Sequence, residues 1–146
     1  MNVTRFTDYS MRVLIYLAVK DSELVTIKEI AQSYDISKNH LMKVVQELNH
    51  KSYVTAIRGK NGGIKLAKSP DEINIGDVIR SVEQGSQLVE CFGDNNICVI
   101  TPACQLKTML AEALEQFFLK LDEYTLADLI SGQKSNISNL LFIKEL

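Results

Sequence analysis

The sequence predicts a mainly α-helical protein with a small β-hairpin wing: a winged helix-turn-helix domain followed by a long dimerisation helix. Three observations carry this expectation. Two short helical patterns, over 26–33 and 38–50, are separated by a three-residue turn, and the second has a polar, basic outer face. A glycine-rich hairpin pattern follows directly. A third helical pattern, from Thr101 to Leu121, carries an apolar stripe too wide for the small core beside it.

The first element is expected over 8–20, with Thr7 as N-cap and Asp8 in the first turn, where a carboxylate suits the helix dipole. Met11, Leu14, Ile15 and Ala18 recur at i, i+3, i+4, i+7 and predict its buried stripe. Thr26-Ile-Lys-Glu29 is a capping box that opens the second helix. Tyr34-Asp-Ile36 turns the chain, and Ser37 caps a third helix whose buried stripe is Leu41, Val44, Val45 and Leu48. Its other face carries Lys38, Asn39, His40, Lys43, Gln46 and Glu47.

Residues 53–58 are β-branched and aromatic, and Ile64-Lys-Leu66 returns as a second strand. Between them lies a Gly59-Lys-Asn-Gly-Gly63 turn flanked by Arg58 and carrying Lys60. Such a tip lets a backbone approach phosphate or enter a minor groove, where Arg and Lys gain from the negative potential. A short helix over 75–83 closes the first domain. The stretch from Gln84 to Thr101 is irregular. Thr101-Pro102 opens the long helix, with Thr as N-cap and Pro at its first position. Leu106, Leu110, Ala113, Phe117 and Leu121 follow one face, with Met109, Leu114 and Phe118 beside it. One more short helix is expected over 125–130, then a tail that is polar apart from Leu140 to Ile143.

Charge is distributed unevenly along the 146 residues. Residues 1–68 hold eleven Lys and Arg against six Asp and Glu, whereas residues 69–146 hold five against twelve. The basic first half predicts a polyanion partner. The longest unbroken apolar run, Val13 to Val19, spans seven residues, far short of the roughly 20 that cross a bilayer. With no secretory pattern at the N-terminus, the expectation is a cytoplasmic protein without a membrane partner. An enzyme is not expected: there is no CxxC, no glycine-rich cofactor loop and no Ser/His/Asp arrangement.

All three cysteines lie within one stretch, Cys91-x6-Cys98-x5-Cys104, in the acidic half. Cys104 is expected in the first turn of the long helix, whose dipole would favour its thiolate. Three soft ligands in a reducing compartment suggest an iron–sulfur cluster, with zinc and thiol redox chemistry as alternatives. Zinc favours CxxC pairs, whereas wide spacings fit a bulkier cluster wrapped by a loop.

The chain resembles the Rrf-type winged-helix regulators of bacteria, which carry iron–sulfur clusters, and within them the nitric-oxide-sensing repressors. The matching stretches are Phe6-Thr-Asp-Tyr9 with Arg12 and Tyr16-Leu17, Ser37-Lys-Asn-His-Leu-Met-Lys43, Tyr53-Val54, Arg58-Gly-Lys-Asn-Gly-Gly63, Ile75-Gly-Asp-Val78, Thr101-Pro-Ala-Cys104 and Tyr124-Thr-Leu-Ala-Asp128. They span nearly the whole chain. The first cysteine arm is slightly longer than is common in the family. Lys107 occupies the place of a histidine ligand in the family's cluster-biogenesis regulators, and Arg12 that of a histidine in a redox-sensing relative.

The resemblance implies metal ligation by Cys91, Cys98 and Cys104, with Asp8 from the other subunit as fourth ligand; read alone, Asp8 is equally a helix-terminal charge. It implies a 4Fe–4S cluster in preference to 2Fe–2S. It further implies a homodimeric repressor that binds double-stranded operator DNA and is released when nitric oxide nitrosylates the cluster; an iron- or redox-sensing regulator of the same family is the alternative. The DNA-binding residues expected are Ser37, Lys38, Asn39, His40, Lys43, Arg58, Lys60 and Asn61, with Asn39 and His40 reaching base edges. The chain then divides into a DNA-binding domain (1–83), a cluster-binding loop (84–104), a dimerisation helix with its short successor (102–130) and a C-terminal tail (131–146).

Overall fold

Helix α1 (Arg5–Lys20) is the element around which the rest of the chain packs. The computed structural model describes residues 1–83 and 87–142. It contains α1, α2 (Ile27–Tyr34), α3 (Lys38–His50), an antiparallel hairpin of β1 (Val54–Ile57) and β2 (Gly63–Leu66), then α4 (Ile75–Val82), α5 (Gln105–Leu121), α6 (Leu126–Ile130) and α7 (Lys134–Phe142). The architecture is the winged helix-turn-helix with a long helix, as the patterning predicts.

The first helix departs from expectation at its start. Thr4, not Thr7, is the N-cap: its hydroxyl accepts from the Thr7 backbone N–H. Thr7 is fully buried one turn inside, and its hydroxyl donates to the Glu83 carboxylate, which also accepts from the backbone N–H and hydroxyl of Thr4. The buried stripe is rotated as well. Val13, Leu14, Tyr16, Leu17 and Ala18 are buried, whereas Met11 and Ile15 are only half-buried. The reason is the company α1 keeps: α3, β2, α4, α6 and α7 all pack against it, so more than one face is covered. A single amphipathic stripe describes a helix covered on one side only.

The middle of the domain follows local rules closely. Thr26 and Glu29 form the capping box reciprocally, and Asp35 adopts a left-handed conformation that ends α2. Thr26→Ala is expected to cost about 1 kcal/mol, read as a lowered urea midpoint at unchanged m-value. Ser37 caps α3 through the His40 N–H, and Leu41, Val44, Val45 and Leu48 are all buried. The hairpin pairs Val54 with Leu66 and Ile57 with Gly63. Val25 bonds Ile64 in both directions, 3.0 and 2.7 Å, and ties the wing to the start of α2. Gly63 permits this, since a Cβ there would lie 2.9 Å from the Val25 carbonyl oxygen.

Two further expectations, the start of the long helix and the place of Cys104 in it, are corrected in the second half. The long helix does not begin at Thr101-Pro102. Those residues form a separate 3-10 turn with Ala103, Cys104 is extended, and α5 starts at Gln105. The Thr101 hydroxyl donates to the Cys98 carbonyl (2.9 Å) and accepts from Asn96 (2.8 Å), so it is engaged with the loop rather than capping the helix. Cys104 is therefore the N-cap residue of α5, not a member of its first turn. The segment after Ser131 forms α7, whose Leu141 is buried and whose Phe142 ring packs edge-on against Tyr16 at 5.2 Å. The expected start of the cluster loop, residues 84–86, and Ile143 of the tail lie outside the described residues. Among the described residues, no helix is long and apolar enough to cross a membrane.

Candidate nucleic-acid interface and cysteine loop

The outward face of α3 follows from its buried one. With Leu41, Val44, Val45 and Leu48 in the core, Lys38, Asn39, Met42, Lys43 and Gln46 are exposed. Ser37 is exposed, but its hydroxyl is engaged as the helix cap. Arg58, Lys60 and Asn61 are exposed at the wing tip. The expected reading and positioning residues therefore lie at the surface, with His40 the exception: it is half-buried, its ring packed edge-on against Tyr9 of α1 at 4.8 Å. Met42 was not among the expected residues, although its place on the polar face of the helix periodicity marks it.

The Tyr9 contact continues into a cluster on α1. Arg12 grips Asp8 with both carboxylate oxygens engaged, at 2.9 Å from Nη2 and 3.3 Å from Nε. Its guanidinium also lies 5.4 Å from the Tyr9 ring centroid and 5.7 Å from that of Tyr34, a favourable cation–π distance. The Tyr34 hydroxyl donates to the Arg12 carbonyl at 2.9 Å. Burial pushes the Tyr34 hydroxyl well above the usual range, partly opposed by the Arg12 charge, so it stays a donor at any physiological pH. The Asp8/Arg12 spacing of four on a helix was the sequence signal for this ion pair.

The three thiols are free and share one stretch of chain. Cys91 is half-buried in a 3-10 turn (Glu90–Phe92), beside an open groove of about 410 Å³ whose far wall is Lys107, Leu114, Glu115 and Phe118 of α5. Cys98 is exposed, its N–H held by the Asn96 side chain at 3.0 Å. Cys104 is half-buried at the start of α5. Among the described residues, the structure does not gather three His, Cys, Asp or Glu side chains into one metal site, and Asp8 stands on a different element. The donor set nevertheless fits an iron–sulfur group. Three soft thiols, none in a disulfide, sit on irregular and 3-10 backbone that can close around a group without breaking a helix or a sheet.

The apolar stripe of α5 is not covered within one chain. No residue of the helix is buried, and Leu106, Met109 and Phe117 are exposed to 58%, 61% and 43%. Only Leu110, Leu114, Phe118 and Leu121 are half-buried among its large apolar side chains.

Comparison with known proteins places this arrangement. The Rrf2 family, described as iron-dependent transcriptional regulators, matches residues 3–132. An HTH-type transcriptional regulator NsrR of Bacillus licheniformis is 57% identical over 135 residues, 91% of this chain and 94% of the relative. Its namesake in Bacillus subtilis is 52% identical over 147 residues, 99% of this chain and all of the relative. Among solved structures, CymR, the global cysteine regulator of B. subtilis, superposes with a TM-score of 0.66 at 29% identity, covering 90% of this chain and 97% of that one.

Proposed function

Because the chain belongs to the Rrf2 family of transcriptional regulators, we propose that it is a homodimeric repressor that binds operator DNA and releases it in response to nitric oxide. The observation that carries the DNA reading is the exposed row Lys38, Asn39 and Lys43 on a fully packed α3, with Arg58 and Lys60 exposed on the adjoining wing. A helix so presented can enter a major groove while wing cations meet phosphate or the minor groove. The uncovered stripe of α5 supports the homodimer, since an apolar face of this width is covered in solution by a partner. As a repressor of bacterial genes, the protein would act in the cytoplasm.

Likeness to two regulators named NsrR supports nitric oxide as the signal. Cys91, Cys98 and Cys104 would hold an iron–sulfur cluster, of the 4Fe–4S type, with Asp8 of the second subunit as an oxygen ligand. When bound, that cluster would supply iron that takes up nitric oxide. Asp8 has both oxygens on Arg12, so it must exchange that ion pair for the metal. Lys107 faces the Cys91 groove as a cation and cannot ligate while protonated. The family's description as iron-dependent favours one second reading, a regulator that senses iron itself.

The deciding experiment uses anaerobically purified dimer on operator DNA followed by fluorescence anisotropy. Release by nitric oxide, with retention under superoxide or an iron chelator, is the expected result. Release by the chelator alone would overturn the nitric-oxide reading in favour of iron sensing.

The α3 surface makes a separate prediction. Asn39→Ala is expected to lose roughly 1–3 kcal/mol of discrimination at one position in each half-site. Lys43→Ala should weaken all sequences about equally and lower the slope of log affinity against log salt by roughly one unit. Binding profiles over a mutated operator library check both, and an unchanged profile for Asn39→Ala would remove it from the base-reading set.

A further inference from the structure

The long helix meets the DNA-reading domain at a tight junction centred on Arg80. Helix α4 is the element against which α5 packs most extensively. From α4, the Arg80 guanidinium donates to Asp122 (Nη1–Oδ1 2.5 Å), lies 3.8 Å from Glu115 and stacks 4.9 Å over the Phe118 ring. Glu115, Phe118 and Asp122 are spaced i, i+3, i+7, so one face of the C-terminal half of α5 closes on one side chain. Asp77 adds a carboxylate at 4.0 Å from the same helix as Arg80.

The backbone at this end is stitched as well. The Asn74 side-chain amide donates to the Asp122 carbonyl at 2.7 Å, Ile75 N–H to Tyr124 at 3.0 Å and Leu126 N–H to Ile73 at 2.8 Å. Gly76 makes the approach possible: a Cβ there would lie 1.8 Å from Asp122 Oδ1 and 2.9 Å from its backbone nitrogen. Toward its other end α5 exposes Leu106 and Met109. The helix is thus held at one end and presents its apolar face beyond.

Such a junction is a pivot. A 17-residue helix is about 25 Å long at a rise of about 1.5 Å per residue. A tilt of about 10° at one end therefore moves the other by about 4 Å, close to the roughly 3.4 Å step between stacked base pairs. We propose that the Arg80 clamp on Asp122 and Phe118, with Gly76 as its contact point, determines the separation between operator half-sites that the dimer accepts. The inference rests on the reading of this chain as a DNA-binding dimer joined through α5. Arg80 is a positioning residue in it: it touches no DNA, and it acts by setting the angle between α5 and the domain that carries α3.

The test uses the full-length holoprotein and a palindromic duplex that the wild-type protein selects from a randomised pool, together with duplexes whose half-sites are one base pair closer or farther apart. Wild type should prefer its selected spacing by about tenfold or more. Arg80→Ala and, independently, Gly76→Ala should remain dimeric by sedimentation, with that preference cut to about twofold or moved to a neighbouring spacing. Arg80→Lys, which keeps the charge without the planar fork, should fall between. Folded, dimeric Arg80→Ala or Gly76→Ala with the wild-type preference intact, even at lower affinity throughout, would overturn the inference and leave the clamp a stabilising contact. Wild type that binds the selected duplex but does not discriminate spacing overturns it while the DNA-binding reading stands. Wild type that selects no duplex at all overturns both.

Discussion

Cys98→Ala is expected to remain a folded dimer while losing iron–sulfur absorbance and operator affinity together. Cys98 is exposed, its backbone is held by Asn96 and Thr101 rather than by its side chain, and it contributes nothing to the core. Removing such a side chain ordinarily changes stability by no more than about 0.5 kcal/mol. Loss of one of three thiol donors, in contrast, removes a quarter or more of what would hold the cluster. Operator affinity should fall toward the non-specific level, by about 100-fold or more. Circular dichroism, sedimentation, visible absorbance and anisotropy on the same preparation separate the two effects. Operator binding by Cys98→Ala as tight as that of holoprotein would show that the cysteine loop is not the switch.

Asp8→Ala should behave differently. The carboxylate is about half exposed and, among the described residues, pairs with Arg12, four residues on. An exposed pair of this kind contributes about 0.3–0.5 kcal/mol, and the first-turn charge about 0.3–1 kcal/mol, so the fold should tolerate the change. With three thiols intact, the variant should retain a cluster of altered absorbance and remain dimeric through α5. It should nevertheless bind operator weakly without nitric oxide, because the link from cluster to partner helix is gone. Asp8→Cys should restore four-point anchoring and slow the nitric-oxide response, a thiolate being the softer and more tightly held donor. Spectra, operator affinity and nitrosylation rates of wild type and both variants are the measurement. Wild-type values for Asp8→Ala on all three would make Asp8 a helix-terminal charge and turn attention to Glu90, Asp94 or a small molecule as the fourth ligand.

These two residues also mark how far the sequence could be read. The cysteine spacing and the Asp8/Arg12 interval are visible in the chain. What surrounds that ion pair is not: Arg12, paired with Asp8 on α1, also stacks on Tyr34 of α2 as well as on its neighbour Tyr9. Tyr34 reads as a turn residue in sequence, yet its hydroxyl fastens α2 to the Arg12 carbonyl across 22 positions. His40 shows the same limit. Periodicity puts it on the outer face of α3, and only packing against Tyr9 makes it half-buried.

By itself, the sequence determined several features that depend on neighbours within a few positions: the Thr26–Glu29 capping box, the Ser37 cap, the buried stripe of α3, the hairpin with its glycine tip and the helical run of α5. Caps, helical periodicity and strand alternation are local, so the chain states them outright. Tertiary structure decided the features that need distant partners. Glu83 draws Thr4 and Thr7 to itself, which moves the start of α1 three residues forward from its expected place. Five elements surround α1 and rotate its buried face. Thr101 is taken by the Cys98 and Asn96 loop, so α5 begins at Gln105. Phe142 finds Tyr16 and orders the last helix. For Glu83, for the elements around α1 and for Phe142, the partners lie too far apart for any short window of sequence to contain both; at Thr101 the partners are only three and five residues away, and the path of that loop decides between them and the helix cap.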